Sequence, residues 1–342
     1  MIKVNPDACQ ASEVVSWLSR DRVGALLVGL MLGAASGAAV AEVFSMPGPG
    51  SDLIGEIRYT KAKYEDTLID IAREFSLGQD EIVMANPTVD RWIPGDGKEV
   101  LVPKRFVLPD APHQGIVLNI PEMRLYYFVG AGKKTGATQV VSYPVSIGRM
   151  DWRTPLGATR VVQKLKDPPW RPPETIKREH AADGDILPDV VPPGPMNPLG
   201  RYAMKLGVPG YLIHGTGVDK AYGIGMRVTH GCIRMYPEDI ERLFPTVPVG
   251  TPVNLVNQPI KLGWDGDDLY IEVSQTLDED RLTYDQLLAL AMNLIEKKTA
   301  RRSILLDGAV LKRALETPSG IPVIISKKPD QPVESADSQE LM

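Results

Sequence analysis

Cysteine is nearly absent from this chain. Its 342 residues hold two, Cys9 and Cys232. A scaffold stapled by several disulfides is therefore excluded. Clusters of basic residues are also missing. The 38 Lys and Arg are scattered against 43 Asp and Glu, for a net charge of −5, which gives no case for nucleic acid as a partner. There is no internal repeat and no nucleotide-binding fingerprint. Apolar residues make up 43% of the chain. That is enough to build buried cores, and the length suits two or three domains.

Only one long uncharged run exists. Arg20 and Arg22 precede the stretch from Val23 to Ala41, which ends in Ala39-Val40-Ala41, a small-x-small cleavage pattern. At about 19 residues the run is near the lower limit for a membrane span, and its Gly- and Ala-rich half is weakly apolar. Residues 1–41 are read as a signal peptide, with an uncleaved anchor as the alternative. Either one exports the rest, because the two arginines stay inside. Cleavage would remove Cys9. Cys232 would then be a single thiol with no intramolecular partner, in a compartment that oxidises pairs.

The remainder divides by composition into an α+β, β-rich chain. Residues 42–55, rich in Gly and Pro, read as a linker. Residues 56–104 form a compact strand-helix-helix-strand unit. In it Leu68, Ile71, Ala72 and Phe75 follow helical spacing behind Asp66-Thr67, a second helix fits Gln79 to Ala85, and Asn86-Pro87 ends it. Residues 113–258 carry β-rich patterning, interrupted between Lys166 and Leu199 by a Pro-rich stretch of little periodicity. Such a stretch inside a domain is a functional loop or disorder. A small C-terminal subdomain is expected over 264–326, with an apolar helical face on Leu287, Leu288, Leu290, Ala291 and Leu294. Residues 327–342 read as a disordered tail.

The chemistry gathers near Cys232. His214-Gly215-Thr216 follows the apolar strand Tyr211-Leu212-Ile213, and Thr229-His230-Gly231-Cys232-Ile233-Arg234-Met235 follows a Gly-containing loop. A thiol attacks carbonyls as thiolate, and a nearby imidazole takes its proton. Gly231 permits close backbone approach and an unusual φ, so backbone N–H groups there could face an oxyanion. Pro237 opens a helix just beyond. Two other readings stay open. His214, His230 and Cys232 are ordinary zinc ligands, although no fourth is evident at compact spacing. A buried, inert cysteine among core histidines is the other, and it leaves the combined motif unexplained. His113 and His180 lie in loop contexts and are given no role.

Residues 56–104 resemble the LysM glycan-binding module, through Tyr59, Asp66-Thr67-Leu68, Ile71-Ala72, Asn86-Pro87 and Leu101-Val102-Pro103. Glu65 stands where a glycine is usual. The resemblance implies binding to N-acetylglucosamine-containing glycan strands. Ile213-His214-Gly215-Thr216 with the Cys232 motif resembles the YkuD-type L,D-transpeptidase signature. Thr154-Pro155-Leu156-Gly157, Pro169-Trp170 and Asn197-Pro198-Leu199-Gly200 fit it too. The resemblance is closest to the ErfK/YbiS-like Gram-negative branch, which places the exported chain in the periplasm.

What this second resemblance implies is a β-sandwich-like catalytic domain and a two-step acyl transfer without cofactor or metal. Cys232 is the nucleophile that attacks the diaminopimelate carbonyl of a tetrapeptide stem. His214 is the general base, Gly215 orients it through its backbone carbonyl, and Gly231 belongs to the oxyanion backbone. His230 is a possible participant that many relatives replace with Ser. Arg234, Thr216, Trp170, Asn197 and Tyr202 are candidate donor-binding residues. The acceptor is an amine, on a lipoprotein lysine or a second diaminopimelate. An L,D-carboxypeptidase and a non-catalytic wall-binding protein are the alternatives.

Overall fold

The computed structural model describes residues 42–130 and 136–327. The expected leader and all but the first residue of the expected tail lie outside them. Among the described residues no helix is long and apolar enough to cross a membrane.

The segment expected as a linker is structured. Strand β1 (Val43–Ser45) pairs antiparallel along the edge of the central sheet, Val43 opposite Val141. Phe44 is buried edge-on against Phe106 at 6.3 Å, and Glu42 pairs with Arg58 at 2.7 Å. A three-residue strand has no period of its own to read, and it exists because its partner strand and the Phe44 contact hold it. β2 (Leu53–Lys61) therefore starts inside the former linker.

β2 and β3 (Glu99–Val107) pair antiparallel from Leu53↔Val107 to Lys61↔Glu99. Between them lie α1 (Leu68–Glu74) and α2 (Gln79–Ala85). This is the expected βααβ order, with both strands running slightly past the boundaries 56 and 104. Thr67 caps α1: its hydroxyl accepts from the Asp70 N–H at 3.1 Å, and the Asp70 carboxylate accepts from the Thr67 N–H at 3.0 Å. Asn86 ends α2 and ties it to β3. Its amide donates to Ile82 O and Leu101 O and accepts from the Leu101 N–H.

The central region runs β4 (Gly115–Asn119), β5 (Arg124–Val129), β6 (Gln139–Pro144), β7 (Ile147–Gly148), β8 (Gly157–Lys166), α3 (Glu174–Ala182), β9 (Tyr202–Leu206), β10 (Leu212–His214), β11 (Arg227–Thr229), β12 (Ile233–Arg234), α4 (Pro237–Thr246) and β13 (Pro252–Val256). Nine strands make one sheet in the order β1-β6-β5-β4-β13-β8-β9-β10-β12. Its β4–β5 region is buried on both faces. Ile116, Leu118, Leu125 and Tyr127 pack with Ile240 and Leu243 of α4. Val117, Tyr126 and Phe128 pack with Leu68, Ile71 and Val102 of the small unit. Each such aliphatic side chain contributes roughly 1.5–3 kcal/mol by leaving water. The small unit is thus packed on the back of the sheet, and buried Arg124 crosses the joint to Glu81 at 2.6 Å.

α3 is a second correction. The stretch Lys166 to Leu199 was expected without regular structure, yet nine of its residues are helical. The helix is polar and buries only Ile176, so it leaves no apolar stripe in the sequence.

The C-terminal region comprises β14 (Ile260–Asp265), β15 (Asp268–Val273), α5 (Tyr284–Thr299), β16 (Leu305–Leu306), α6 (Gly308–Glu316), β17 (Val323–Ile324) and β18 (Ser326–Lys327). It begins at Ile260, before the expected boundary at 264, because β14 pairs with β15 from Ile260↔Val273 onward. Leu287, Ala291 and Ile295 of α5 pack with Leu311 and Leu315 of α6. Lys327, expected in the tail, pairs with Leu305.

Candidate active site

Strand register builds the site. β10 pairs parallel with β12, Ile213 opposite Ile233 and His214 opposite Arg234. β9 pairs antiparallel with β10, Met204 opposite Ile213 and Ala203 opposite His214. Paired residues share a face and neighbours alternate. Ile213, Ile233 and Met204 therefore enter the core. His214 and Arg234 fall together on the other face, and Cys232, in the bend just before β12, lies within reach of the same Arg234 charge that acts on His214.

His214 is buried. Its Nδ1 lies 2.6 Å from the Gly215 carbonyl oxygen. A carbonyl only accepts, so Nδ1 carries the proton and Nε2 keeps its lone pair. Burial, aided by the Arg234 charge, pushes the imidazole down to about 3 despite that hydrogen bond. It is a neutral base at physiological pH.

Cys232 is half-buried. Its Sγ donates to the Gly210 carbonyl oxygen at 3.6 Å. Burial raises the thiol pKa, while the Leu212 backbone N–H and Arg234 pull it down. At rest the pair is thus neutral imidazole and neutral thiol, so the proton moves as attack occurs. Arg234 has a buried Nε without a partner, and no carboxylate among the described residues pairs with it. An unpaired guanidinium beside the thiol is suited to an anion.

Gly231 has φ +94°. A Cβ there would meet Tyr211 Cε1 at 2.8 Å and the Trp152 and Arg153 carbonyl oxygens at 3.3 and 3.4 Å. Thr154 secures this turn. Its Oγ1 accepts from the Gly148 N–H at 3.0 Å and donates to Gly231 O at 2.9 Å. Thr229 Oγ1 donates to Cys232 O at 2.6 Å. Thr216 is buried, and its Oγ1 has no hydrogen-bond partner among the described residues.

His230 points elsewhere. Its Nε2 meets Glu179 of α3 at 3.0 Å, and its ring stands edge-on to Trp152 at 5.1 Å. Glu179 also pairs with Arg149. Sequence reading missed Glu179, because nothing in a polar helical stretch marks one carboxylate over another. Thr154 was within a quoted motif but had no role. Among the described residues no three His, Cys, Asp or Glu side chains converge as metal ligands.

Two of the expected donor contacts have protein partners. Asn197 is wholly buried, its amide donating to Pro168 O, Val191 O and Pro192 O while its oxygen accepts from the Leu199 N–H. It fastens the loop from within. Tyr202 lies two residues before Met204 and so shares the core face, with its ring 4.7 Å from Phe244. Its backbone still serves the site, since Tyr202 O accepts from the Gly215 N–H at 3.1 Å. Trp170 is half-buried, and its backbone bridges to Val191.

Comparison with known proteins covers the same region and more. The family model for the L,D-transpeptidase catalytic domain, YkuD, matches residues 113–255. The probable L,D-transpeptidase YcfS of Escherichia coli (strain K12) is 37% identical over 295 residues, 84% of this chain and 90% of that one. The probable L,D-transpeptidase YbiS of the same strain is 37% identical over 290 residues, 83% of this chain and 92% of its own. The probable L,D-transpeptidase ErfK/SrfK of Salmonella typhimurium is 35% identical over 293 residues, 84% and 92% of the two chains.

Proposed function

The chain belongs to the YkuD family of L,D-transpeptidases, and from that premise we propose that it is an exported, cysteine-dependent enzyme of the bacterial wall, working in the periplasm. The observation that carries this reading is the His214 tautomer. The Gly215 carbonyl accepts a hydrogen bond from Nδ1–H and leaves Nε2 with its lone pair as a base, on a strand paired with the one that Cys232 immediately precedes.

In the proposed reaction Nε2 removes the thiol proton as Sγ attacks the carbonyl carbon of the diaminopimelate–D-alanine bond. Backbone N–H groups at Gly231 and Cys232 receive the oxyanion, which they can do without reorganising. The C–N bond breaks, His214 gives its proton to the departing D-alanine nitrogen, and a thioester remains. An acceptor amine then attacks the thioester and loses a proton to Nε2. The C–S bond breaks, and the thiol regains its proton. Arg234 holds a stem-peptide carboxylate during both steps. The acceptor is a lipoprotein lysine or a second diaminopimelate.

The small unit is proposed to grip glycan. Tyr59, Asn86, Pro87, Lys98 and Leu101 help line an open groove of about 400 Å³. Tyr59 is an exposed ring, the kind of surface on which a sugar face packs.

Intact-mass analysis tests the reading. Wild-type protein given disaccharide-tetrapeptide should retain a stem-tripeptide adduct that Cys232→Ala lacks, and an added amine should clear it into a cross-linked product. Clearance by water alone would point to a carboxypeptidase. Folded protein without adduct or product would sink the enzyme reading.

A further inference from the structure

After β15 the chain leaves the C-terminal sheet and returns to the catalytic loop. Asp278, Glu279 and Asp280 form a short 3-10 turn there. Glu279 faces inward, its side chain 5% exposed. Its Oε1 accepts from Arg227 Nη2 at 2.7 Å. Its Oε2 is buried without a hydrogen-bond partner among the described residues, and Arg227 Nη1, also without a hydrogen bond, stands 3.7 Å from Asp278 Oδ2. Both residues line a cavity of about 50 Å³ together with Gly148 and Thr154.

A buried ion pair whose polar atoms are incompletely hydrogen-bonded is a poor source of stability, because desolvation offsets most of the attraction. What the pair does is fix Arg227. Arg227 opens β11, whose last residue directly precedes His230. Its Nε donates to Gly148 O at 3.4 Å, and β11 pairs with β7 at Arg227↔Ile147 and Thr229↔Gly148. Gly148 is joined through Thr154 to Gly231. A run of direct contacts thus leads from Glu279 to the residue beside the nucleophile.

We infer that Glu279 is a positioning residue for Cys232. Through Arg227 it sets the backbone of the turn that presents the thiol, which gives the C-terminal subdomain a part in the reaction. The inference rests on the proposed thiol chemistry, and one of its readouts needs no substrate.

The test uses the full exported protein and the variants Glu279→Ala, Glu279→Gln and Arg227→Lys. Donor acylation kinetics, the pH profile of Cys232 alkylation by iodoacetamide, and thermal melting are measured together. Glu279→Ala should lower kcat on the order of 10- to 100-fold with little change in KM, as a displaced reacting group does. It should also displace the alkylation profile in protein that still melts cooperatively. Glu279→Gln, which keeps an acceptor oxygen for Arg227, should recover most of kcat. A Glu279→Ala protein with wild-type kinetics and profile, or with a lowered melting temperature alone, overturns the inference. Should Glu279→Ala fail to fold, Arg227→Lys decides. It keeps the charge and loses the Gly148 bond, so wild-type behaviour there is equally fatal. If wild type itself turns over no stem peptide, the proposed function fails, and the alkylation profile alone judges Glu279.

Discussion

His230 and Glu179 stand fifty-one positions apart and meet at 3.0 Å, joining the turn before Cys232 to the helix in the Pro-rich loop. Burial holds the His230 pKa below its ordinary value, even though Glu179 raises it. The contact is therefore mainly a hydrogen bond from a neutral ring. Glu179 also holds Arg149, so one carboxylate closes α3 onto two points of the site.

Glu179→Ala should release α3. The expected result is faster proteolysis between residues 167 and 200 and a donor KM raised by a few fold, with kcat less affected. That split marks lost binding rather than lost chemistry. Unchanged proteolysis and KM would show that the helix does not depend on this contact.

His214 should remain neutral well into acid. With its folded pKa near 3 against about 6.5 unfolded, the unfolded chain binds the extra proton first as pH falls. Stability should thus be lost progressively from pH about 6.5 toward 3. In proton NMR its ring resonance, assigned with His214→Asn, should not titrate between about pH 5 and 8. A midpoint near 6.5 would remove the neutral-base assignment.

Gly231→Ala should fold poorly or lose activity. At φ +94° a side chain costs roughly 1–3 kcal/mol, and the new methyl would press on Tyr211 and two carbonyl oxygens. Relief comes most easily by moving the turn, and Cys232 with it. We expect the acylation rate to fall further than the melting temperature would explain. An Ala variant with wild-type kcat would mean the turn has slack.

Asp239 gives a pH signature unrelated to the thiol. It is buried in α4 with Oδ2 unpartnered, and burial lifts its carboxyl to about 7, helped by Glu238. A folded pKa raised above the unfolded value of about 3.9 favours the protonated fold. Its contribution is therefore full below about pH 4 and lost as pH rises to 7. Asp239→Asn should flatten that part of the stability curve and raise stability at pH 8 by on the order of 2–4 kcal/mol. Chemical denaturation at pH 5 and pH 8 would check it, and an unchanged difference between the two would refute it.

Much of the site was legible because it is local. Cys232, His214 and Gly215 lie at the ends of short apolar strands, where a motif and a period of two suffice. The βααβ unit was legible for the same reason, since a capping box and two short helical patterns mark it. What escaped depends on register or on distant partners. Tyr202 faces the core only because Met204 pairs with Ile213, and no pattern in the sequence states that pairing. Asn197 looked available because its four partners are backbone atoms of its own loop. β1 and α3 lack an apolar stripe, and Glu179 and Glu279 reach the site from more than fifty residues away.

Where the small unit meets the catalytic domain, Gly78 and Gly225 approach backbone to backbone, and a Cβ on Gly225 would lie 2.2 Å from the Gly78 Cα. The Gln79 N–H donates to Ile224 O at 2.9 Å across the same seam. Backbone packs directly on backbone here, and the Arg124–Glu81 and Arg73–Glu238 ion pairs tie the same two parts together. If the small unit grips glycan as proposed, a strand held there would reach the thiol at one fixed offset. The molecule would behave as a gauge with its jaw and cutter cast in one piece, choosing its point of action along a strand by distance.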